Sequence, residues 1–176
     1  FYGYDSFYHV RRIFYTVENF PHTLWFDSYL NHPRGLELLW PPLFDQVVAG
    51  AALLLGGGDR AVEMAGALVP PVLGSASILV LYLLAKKLFG ARVALLSALL
   101  LAIDPKHIAR THFGCPDHDV LESLLILGAI LLLAYALTER DRRLWFGAVA
   151  GVLIAAVAYT WLGAPIYMVA ILIYAT

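Results

Sequence analysis

Apolar residues form long, nearly unbroken runs over the last two thirds of the chain. Over the first third they form short clusters rich in aromatic side chains. A helix crossing the hydrocarbon of a bilayer needs about 20 apolar residues. The runs at 64–85, 93–109, 119–138 and 144–160 approach that length, and a fifth extends from Ala164 to Thr176. An earlier run, LFDQVVAGAALLLGGG, carries Asp45 and closes on three glycines. Its apolar part is only about a dozen residues, which predicts a helix lying at the membrane interface rather than crossing it.

The head, residues 1–43, reads differently. Asp5 followed by SFYHVRRIFYTVENF predicts an N-capped helix that stops before Pro21. FDSYLNHPRG predicts a turn-rich loop, and LWPPLFD the entry to the interfacial helix. Internal repeats and low-complexity segments are absent from the sequence. The pattern predicts an all-α polytopic membrane protein with one membrane domain over 1–176. Within it, 1–59 is a first external loop with short helices and 60–176 holds the transmembrane helices.

Lys and Arg accumulate on the cytoplasmic side of membrane proteins. Lys86, Lys87 and Arg92 occupy one connection between spans, and Arg140, Arg142 and Arg143 another. Both therefore read as cytoplasmic. The connections near 110–118 and 161–163 then face the outside, as does the head up to about Asp59 if 44–58 does not cross. Arg11, Arg12, Arg34 and Arg60 lie in the head, so counting cations does not settle that point. The short apolar length favours the non-crossing arrangement.

Composition agrees with a membrane protein. Hydrophobic residues make up 61% of the 176 and charged residues 14%, too apolar for a water-soluble domain of this size. A net charge of -1 identifies no partner, and nothing suggests nucleic acid. The single cysteine, Cys115, excludes an internal disulfide framework or a cysteine metal cluster and reads as a small space-filler. The chain begins at Phe1 rather than Met and stops inside an apolar run, as a piece of a longer protein would; no signal peptide is recognisable.

The candidate chemistry lies where Asp117, His118, Asp119 and Glu122 open the 119–138 run. In this topology Asp5 faces the same compartment. Carboxylates from separate parts of the chain, gathered at a membrane surface, suit a hard divalent cation such as Mg²⁺ or Mn²⁺. Asp5, Asp117 and Asp119 are the candidate metal ligands. Arg110 would add a guanidinium, which matches phosphate oxygens. Helix N-termini near Ser6 and Val120 would add positive dipole ends on the same side. Together these suit a lipid-linked phosphate or pyrophosphate whose tail stays in the membrane.

Plainer roles exist for each residue alone. Asp119 with Glu122 forms a capping-box pattern, and Asp5 reads as an N-cap. His118 reads as a solvated loop histidine. His9, His22, His32, His107 and His112 have no metal-ligand spacing among them. His32, in NHPRG, is a turn residue or a substrate contact. Asp59 and Glu63 read as helix-start charges, and Asp104-Pro105 as a helix end. Capping leaves Asp117 and Arg110 unexplained, so the set carries the site.

The segments YGYDSFYHVRRIFYTVENFPHTLWFDSYLNHPRG, WPPLFDQ and RTHFGCPDHDVLE, in that order, resemble the catalytic subunit of oligosaccharyltransferases, the STT3/AglB/PglB family, in its archaeal style. The resemblance implies a GT-C-type transmembrane domain in the plasma membrane with its active site facing outside. It implies transfer of an oligosaccharide from a dolichol-type phosphate or pyrophosphate to asparagine in an Asn-x-Ser/Thr sequon, dependent on Mn²⁺ or Mg²⁺. Asp5 would bind the metal and the acceptor amide, Asp117 and Asp119 would be metal ligands, and Arg110 would contact the donor phosphate. Many archaeal members carry Asp-His-His at the second motif. Here Asp119 takes the third place, which makes it the expected ligand and leaves His118 outside the primary shell. The family's later external-loop glutamate and its sequon-reading Trp-Trp-Asp motif are not in this sequence, so the fragment alone is expected to be inactive.

Two other classes fit less well. A related polyprenyl-phosphate-sugar transferase acting on hydroxyl or lipid acceptors would share the first acidic residue but lack the second Asp-x-Asp. An ion-coupled transporter would carry ionisable residues within its spans, whereas here the acids cluster at span ends. A purely structural subunit would not need Asp5, Arg110, Asp117 and Asp119 together.

Overall fold

The structure, a computed structural model, describes residues 1 and 3–175; Tyr2 and Thr176 lie outside the described residues. The head begins with α1, Tyr4–Asn19. Ser6, His9, Ile13 and Thr16 recur at helical spacing and are buried on its inner face. Asp5 is not the N-cap. Gly3, with φ of 87°, precedes the helix and makes no side-chain cap, and Asp5 lies in the first turn, where a carboxylate complements the helix dipole.

The turn-rich loop after α1 is pinned by two short strands, β1 (Phe26–Asp27) and β2 (Leu36–Glu37). They pair antiparallel with Asp27 opposite Leu36. This is the one departure from an all-α fold among the described residues. Its cause is local. Asp27 accepts from Arg11 Nε at 2.9 Å, from Tyr8 Oη at 3.2 Å and from its own loop through Tyr29 N at 2.9 Å. The loop base is thereby clamped to α1.

Helix α2, Leu43–Leu54, has 12 residues. At 1.5 Å per residue it spans about 18 Å, too short for a hydrocarbon core of about 30 Å. Phe44, Val48, Ala49 and Ala52 pack with Ile13 of α1, with Val62 and Ala65 of α3 (Asp59–Phe89), and with Val120 and Leu121 of α6 (Asp119–Thr138). This shared core fixes the head directly onto the long helices.

The run expected at 64–85 extends at both ends into the 31 residues of α3. Asp59 opens it, and Lys86 and Lys87 sit in its last turn, where cations complement the carbonyl end. Gly90, at φ 87°, both ends α3 and begins α4 (Ala91–Ile103), a conformation that side chains with a Cβ resist.

The run expected at 93–109 is not one helix. It breaks at Asp104, whose extended backbone ends α4 and whose Oδ2 accepts from His107 N at 2.7 Å to cap α5, Pro105–Thr111. The residue before a proline avoids helical geometry, which explains the break. Helix α7, Arg143–Ala158, follows a 3-10 turn at Arg140–Arg142, and α8 is Pro165–Ala175.

Among the described residues, α3 and α6 are both long and apolar enough to cross a membrane; α2 and α4 are apolar but shorter. The two cation-bearing connections lie together at one end, joined by Lys87 Nζ and Glu139 Oε1 at 3.0 Å. The head and the 112–118 loop meet at the other.

Candidate metal and anion site

The 112–118 loop is held to α3 by an exchange of hydrogen bonds. Pro71 has no N–H, so it cannot bond the carbonyl of Ala67 one turn earlier. Gly114, at φ 82°, donates to that carbonyl at 3.2 Å. Beside it, Pro116 lies against Gly66, and the buried Cys115 Sγ accepts from Ser6 Oγ of α1 at 3.7 Å. Cys115 is thus packed, in line with its reading as a space-filler.

This anchoring buries Asp117 at 3% exposure. Its Oδ2 accepts from Arg110 Nη1 at 2.8 Å, and the same nitrogen lies 2.9 Å from Asp119 Oδ2. Arg110 therefore joins both acids of the Asp-x-Asp motif. Asp117 Oδ1 faces away from the arginine. It lies 3.0 Å from His118 Nδ1 and 3.9 Å from His9 Nε2, and it makes no well-directed hydrogen bond despite its burial. A buried carboxylate oxygen in that state is where a cation fits.

Burial by itself would raise the Asp117 carboxyl. The close approach of the His118 ring, with the Arg110 guanidinium, overcomes it and holds the group at about 2. Burial opposes protonation of His118 in turn, but the neighbouring carboxylate of Asp117, with those of Asp119 and Glu122, raises it above the usual histidine value.

Behind this cluster lies a network that sequence reasoning missed. His9 Nδ1 is 2.6 Å from Asp45 Oδ1, and Asp45 Oδ2 is 3.0 Å from Arg12 Nη1. Arg12 Nη2 donates to the carbonyl of Trp40 at 3.1 Å. The Trp40 ring stacks on His9 with centroids 5.6 Å apart. Arg12 and Asp45 are fully buried. Asp45 inside an apolar run was the available signal, since a charge there demands a partner. His9 and Arg12 follow Asp5 at helical spacing on α1, but they lack the close pairing that marks a metal motif in sequence.

Asp5 is exposed one turn before His9 and lines a cavity of about 140 Å³ with His9, Trp40, His118 and Trp161. A larger cavity, about 300 Å³, is lined by Lys106, His107, Arg110, Asp119 and Glu122 among others. His118 links the two, with Nε2 3.7 Å from Asp119 Oδ1. Two groups of ligand atoms lie within reach of one cation: His9, Asp117 and His118; and His118, Asp119 and Glu122. His118, given no ligand role from sequence, belongs to both, and Asp5 to neither. His32 is exposed in the turn closed by Arg34 N and Asn31 O and lines neither cavity.

The expected capping box does not form. Helix α6 starts after His118 without a side-chain cap, and Glu122 accepts from Tyr167 Oη of α8 at 2.7 Å. Glu122 is thereby engaged by α8.

The family model described as Oligosaccharyl transferase STT3, N-terminal, matches residues 1–176. The chain belongs to the STT3 family. It is 35% identical over 167 residues to dolichyl-phosphooligosaccharide-protein glycotransferase 1 of Archaeoglobus fulgidus, covering 94% of this chain and 26% of that protein. It is 33% identical over 147 residues to dolichyl-monophosphooligosaccharide–protein glycotransferase AglB of Haloferax volcanii, covering 81% and 14%. Its fold is similar to that of an Archaeoglobus fulgidus oligosaccharyltransferase tethered to an acceptor peptide containing the NVT sequon. The TM-score is 0.84 and the identity 26%, over 94% of this chain and 21% of that one. The fold is also similar to that enzyme solved with zinc and sulfate, and to oligosaccharyltransferase AglB of Archaeoglobus fulgidus solved with an inhibitory peptide and a dolichol-phosphate, each at a TM-score of 0.81 and 27% identity. These STT3-family relatives are far longer: the chain spans about a quarter or less of each.

Proposed function

We propose that this chain is the N-terminal part of an oligosaccharyltransferase catalytic subunit. It transfers an oligosaccharide from a dolichol-type phosphate or pyrophosphate to the asparagine of an Asn-x-Ser/Thr sequon. The protein is a multi-pass, GT-C-type enzyme of the plasma membrane with the Asp5 and Asp117 face outside. The carrying observation is the joining of Asp117 and Asp119 by Arg110 at the mouth of the apolar helix α6, within a family whose relatives bear that activity in their names. Support for the partners comes from the fold neighbour, solved with a sequon peptide and with dolichol-phosphate.

Asp5, Asp117 and Asp119 would hold a divalent cation, Mn²⁺ or Mg²⁺, and the neighbour's zinc and sulfate are in keeping with such a centre. The outward Oδ1 of Asp117, buried without a hydrogen bond, and the carboxylates around it suit such an ion. When bound, the cation supplies Lewis-acid neutralisation of the departing phosphate. The chain's own residues do the rest. Arg110 is half exposed beside the larger cavity, which Lys106 also lines. Its guanidinium is oriented by the two acids and offers its remaining N–H groups to phosphate oxygens. Asp5 accepts a hydrogen bond from the acceptor amide N–H, which raises electron density on a poor nitrogen nucleophile. With donor and acceptor on opposite sides of His118, attack opposite the leaving phosphate inverts the anomeric carbon.

The test is glycosylation of a sequon peptide by the full-length enzyme with a dolichol-linked oligosaccharide. Asp5→Ala and Asp117→Ala are each expected to lose more than about a hundredfold in rate while inserting normally in the membrane. Wild-type turnover in either variant would refute the assignment. Transfer to a hydroxyl or lipid acceptor instead of the peptide would favour the related sugar transferase.

A further inference from the structure

The end of the bundle away from the candidate site carries six cations against two acids. Lys86, Lys87 and Arg92 lie in one connection, and Arg140, Arg142 and Arg143 with Glu139 and Asp141 in the other. The two connections are fixed to each other. Lys87 Nζ, 3.0 Å from Glu139 Oε1, also lies 4.5 Å from the centroid of the Tyr135 ring, which stacks on Phe146 of α7. Lys86 Nζ stands over the Tyr82 ring at 5.7 Å. The arginines are left over. Among the described residues, no carboxylate lies within ion-pairing distance of Arg92, Arg140, Arg142 or Arg143, and all four are exposed. Arg92 and Arg143 stand in the first turns of α4 and α7, which hold no acid. A cation there opposes the helix dipole, so the fold gains nothing from the placement. The bias of Lys and Arg towards one membrane side explains cations in both connections. It does not explain why the connections are clamped together while the arginines stay unpaired.

Helix length sets the depth of this cluster. Helix α6 has 20 residues, about 30 Å at 1.5 Å each, which equals the hydrocarbon thickness of a bilayer. In a spanning α6 with Asp119 at one surface, Thr138 reaches the other, and residues 139–143 stand at the level of the lipid phosphates. The chain turns apolar again at once: Leu144 is 89% exposed and Trp145 67%. Leu88 and Phe89 are exposed beside the other connection. Tryptophan beside arginine at this depth suits a phospholipid, with the ring at the acyl boundary and the guanidinium on the phosphate. A soluble polyanion would match the charge but leave the apolar rim uncovered.

We propose that the clamped connections form a docking site for the phosphate of an anionic phospholipid, on the membrane surface opposite Asp5 and Asp117. Arg140, Arg142 and Arg143 engage the phosphate, and Arg92 adds its charge from the other connection. Trp145 and Phe89 lie against the acyl chains. The Lys87–Glu139 pair holds the two connections as one platform. The inference rests on the membrane-spanning reading above and is independent of the metal and of sequon transfer.

The test uses full-length protein in phosphatidylcholine nanodiscs containing a small fraction of lipid brominated near the headgroup end of its acyl chains. Bromine quenches tryptophan on contact, and the Trp145 signal is the difference between wild type and Trp145→Phe. Brominated phosphatidylglycerol is expected to quench Trp145 as strongly as about a fivefold or greater excess of brominated phosphatidylcholine, since each nearby cation contributes about fivefold in affinity. Arg142→Gln alone, which leaves five cations to set the topology, should reduce the preference about fivefold. Glutamine at Arg140, Arg142 and Arg143 together should abolish it, and lysine at all three should retain most of it. Inorganic phosphate at constant ionic strength should not displace the lipid. Equal quenching by the two brominated lipids, or a preference undiminished by the glutamines, would overturn the docking site and leave the membrane reading standing. Displacement of the lipid by inorganic phosphate or by heparin would overturn phospholipid as the occupant. Trp145 quenched by neither lipid would overturn both the site and the membrane reading.

Discussion

Gly114 donates its backbone N–H to the carbonyl of Ala67 at 3.2 Å, the carbonyl that Pro71 leaves without its helical partner. A proline in the middle of a long apolar helix thus creates the attachment point for the loop that carries Asp117. At the neighbouring Gly66 a Cβ would crowd the Phe1 ring at 3.3 Å and meet Pro116 at 3.9 Å. Helix irregularity and site position are one feature.

Replacing Pro71 by alanine returns an N–H that competes for the Ala67 carbonyl. The helix should gain regularity while the loop loosens. Hydrogen exchange at the Gly114 amide is expected to accelerate about fivefold, the worth of one net hydrogen bond. Unchanged protection would show that packing alone holds the loop.

Gly74 of α3 lies under α5. A Cβ there would stand 2.5 Å from Thr111 Cβ and 2.7 Å from its methyl. Gly74→Ala must push away the short helix bearing Arg110, at a cost of about 1–3 kcal/mol. A lowered melting temperature with a raised KM for the lipid-linked donor is the expected pair of effects. Loss of stability with an unaltered donor KM would separate α5 from the donor site.

Arg12 is fully buried, ion-paired with Asp45 and hydrogen-bonded to the Trp40 carbonyl. Arg12→Leu strands a buried carboxylate and should destabilise the protein by about 3–5 kcal/mol. Thermal unfolding in detergent measures it. A change below 1 kcal/mol, on the order of a surface pair, would mean water reaches Asp45.

Arg110→Lys keeps the charge but cannot span both acids and a phosphate with a planar fork. Donor KM should rise on the order of tenfold with the acceptor KM unmoved. A selective rise in acceptor KM would assign the residue to the peptide instead.

The loop clamp should be sensitive to acid. The hydrogen bond from Arg11 holds the Asp27 carboxyl below its ordinary value, with burial opposing and Tyr29 N–H, the Arg11 charge and Tyr8 assisting. A depressed carboxyl contributes stability above the unfolded value, near 4, and loses it as pH falls through the folded value. The head should therefore loosen below about pH 4, read by tryptophan fluorescence of Trp25 and Trp40. Asp27→Asn should be less stable at neutral pH, by about 1–2 kcal/mol given the half-exposed Arg11, and should show a flatter acid response. A wild-type signal without change from pH 7 to 3 would contradict this.

Much of the helical order was legible in hydropathy. The cores of α3, α6 and α7 coincide with apolar runs, because a run of that length has few other ways to satisfy its backbone. Element ends were less legible. The 93–109 run looked continuous because Asp104-Pro105 interrupts helix geometry without interrupting hydrophobicity. The capping reading of Asp119 and Glu122 was reasonable locally, but Tyr167, 45 residues further on, took the carboxylate.

By itself the sequence determined most of the helical segments, that Asp117 and Asp119 open the apolar run of α6 with Arg110 shortly before them, and to which family the motifs belong. Those are properties of composition and near-neighbour spacing, and they survive without any knowledge of packing. Only the tertiary structure decided that His9, 36 residues from Asp45 and 109 from His118, would close the circuit from Arg12 to Asp117. Periodicity describes one helix at a time, whereas that meeting depends on how α1, α2 and α3 bury a common core and carry the 112–118 loop against it.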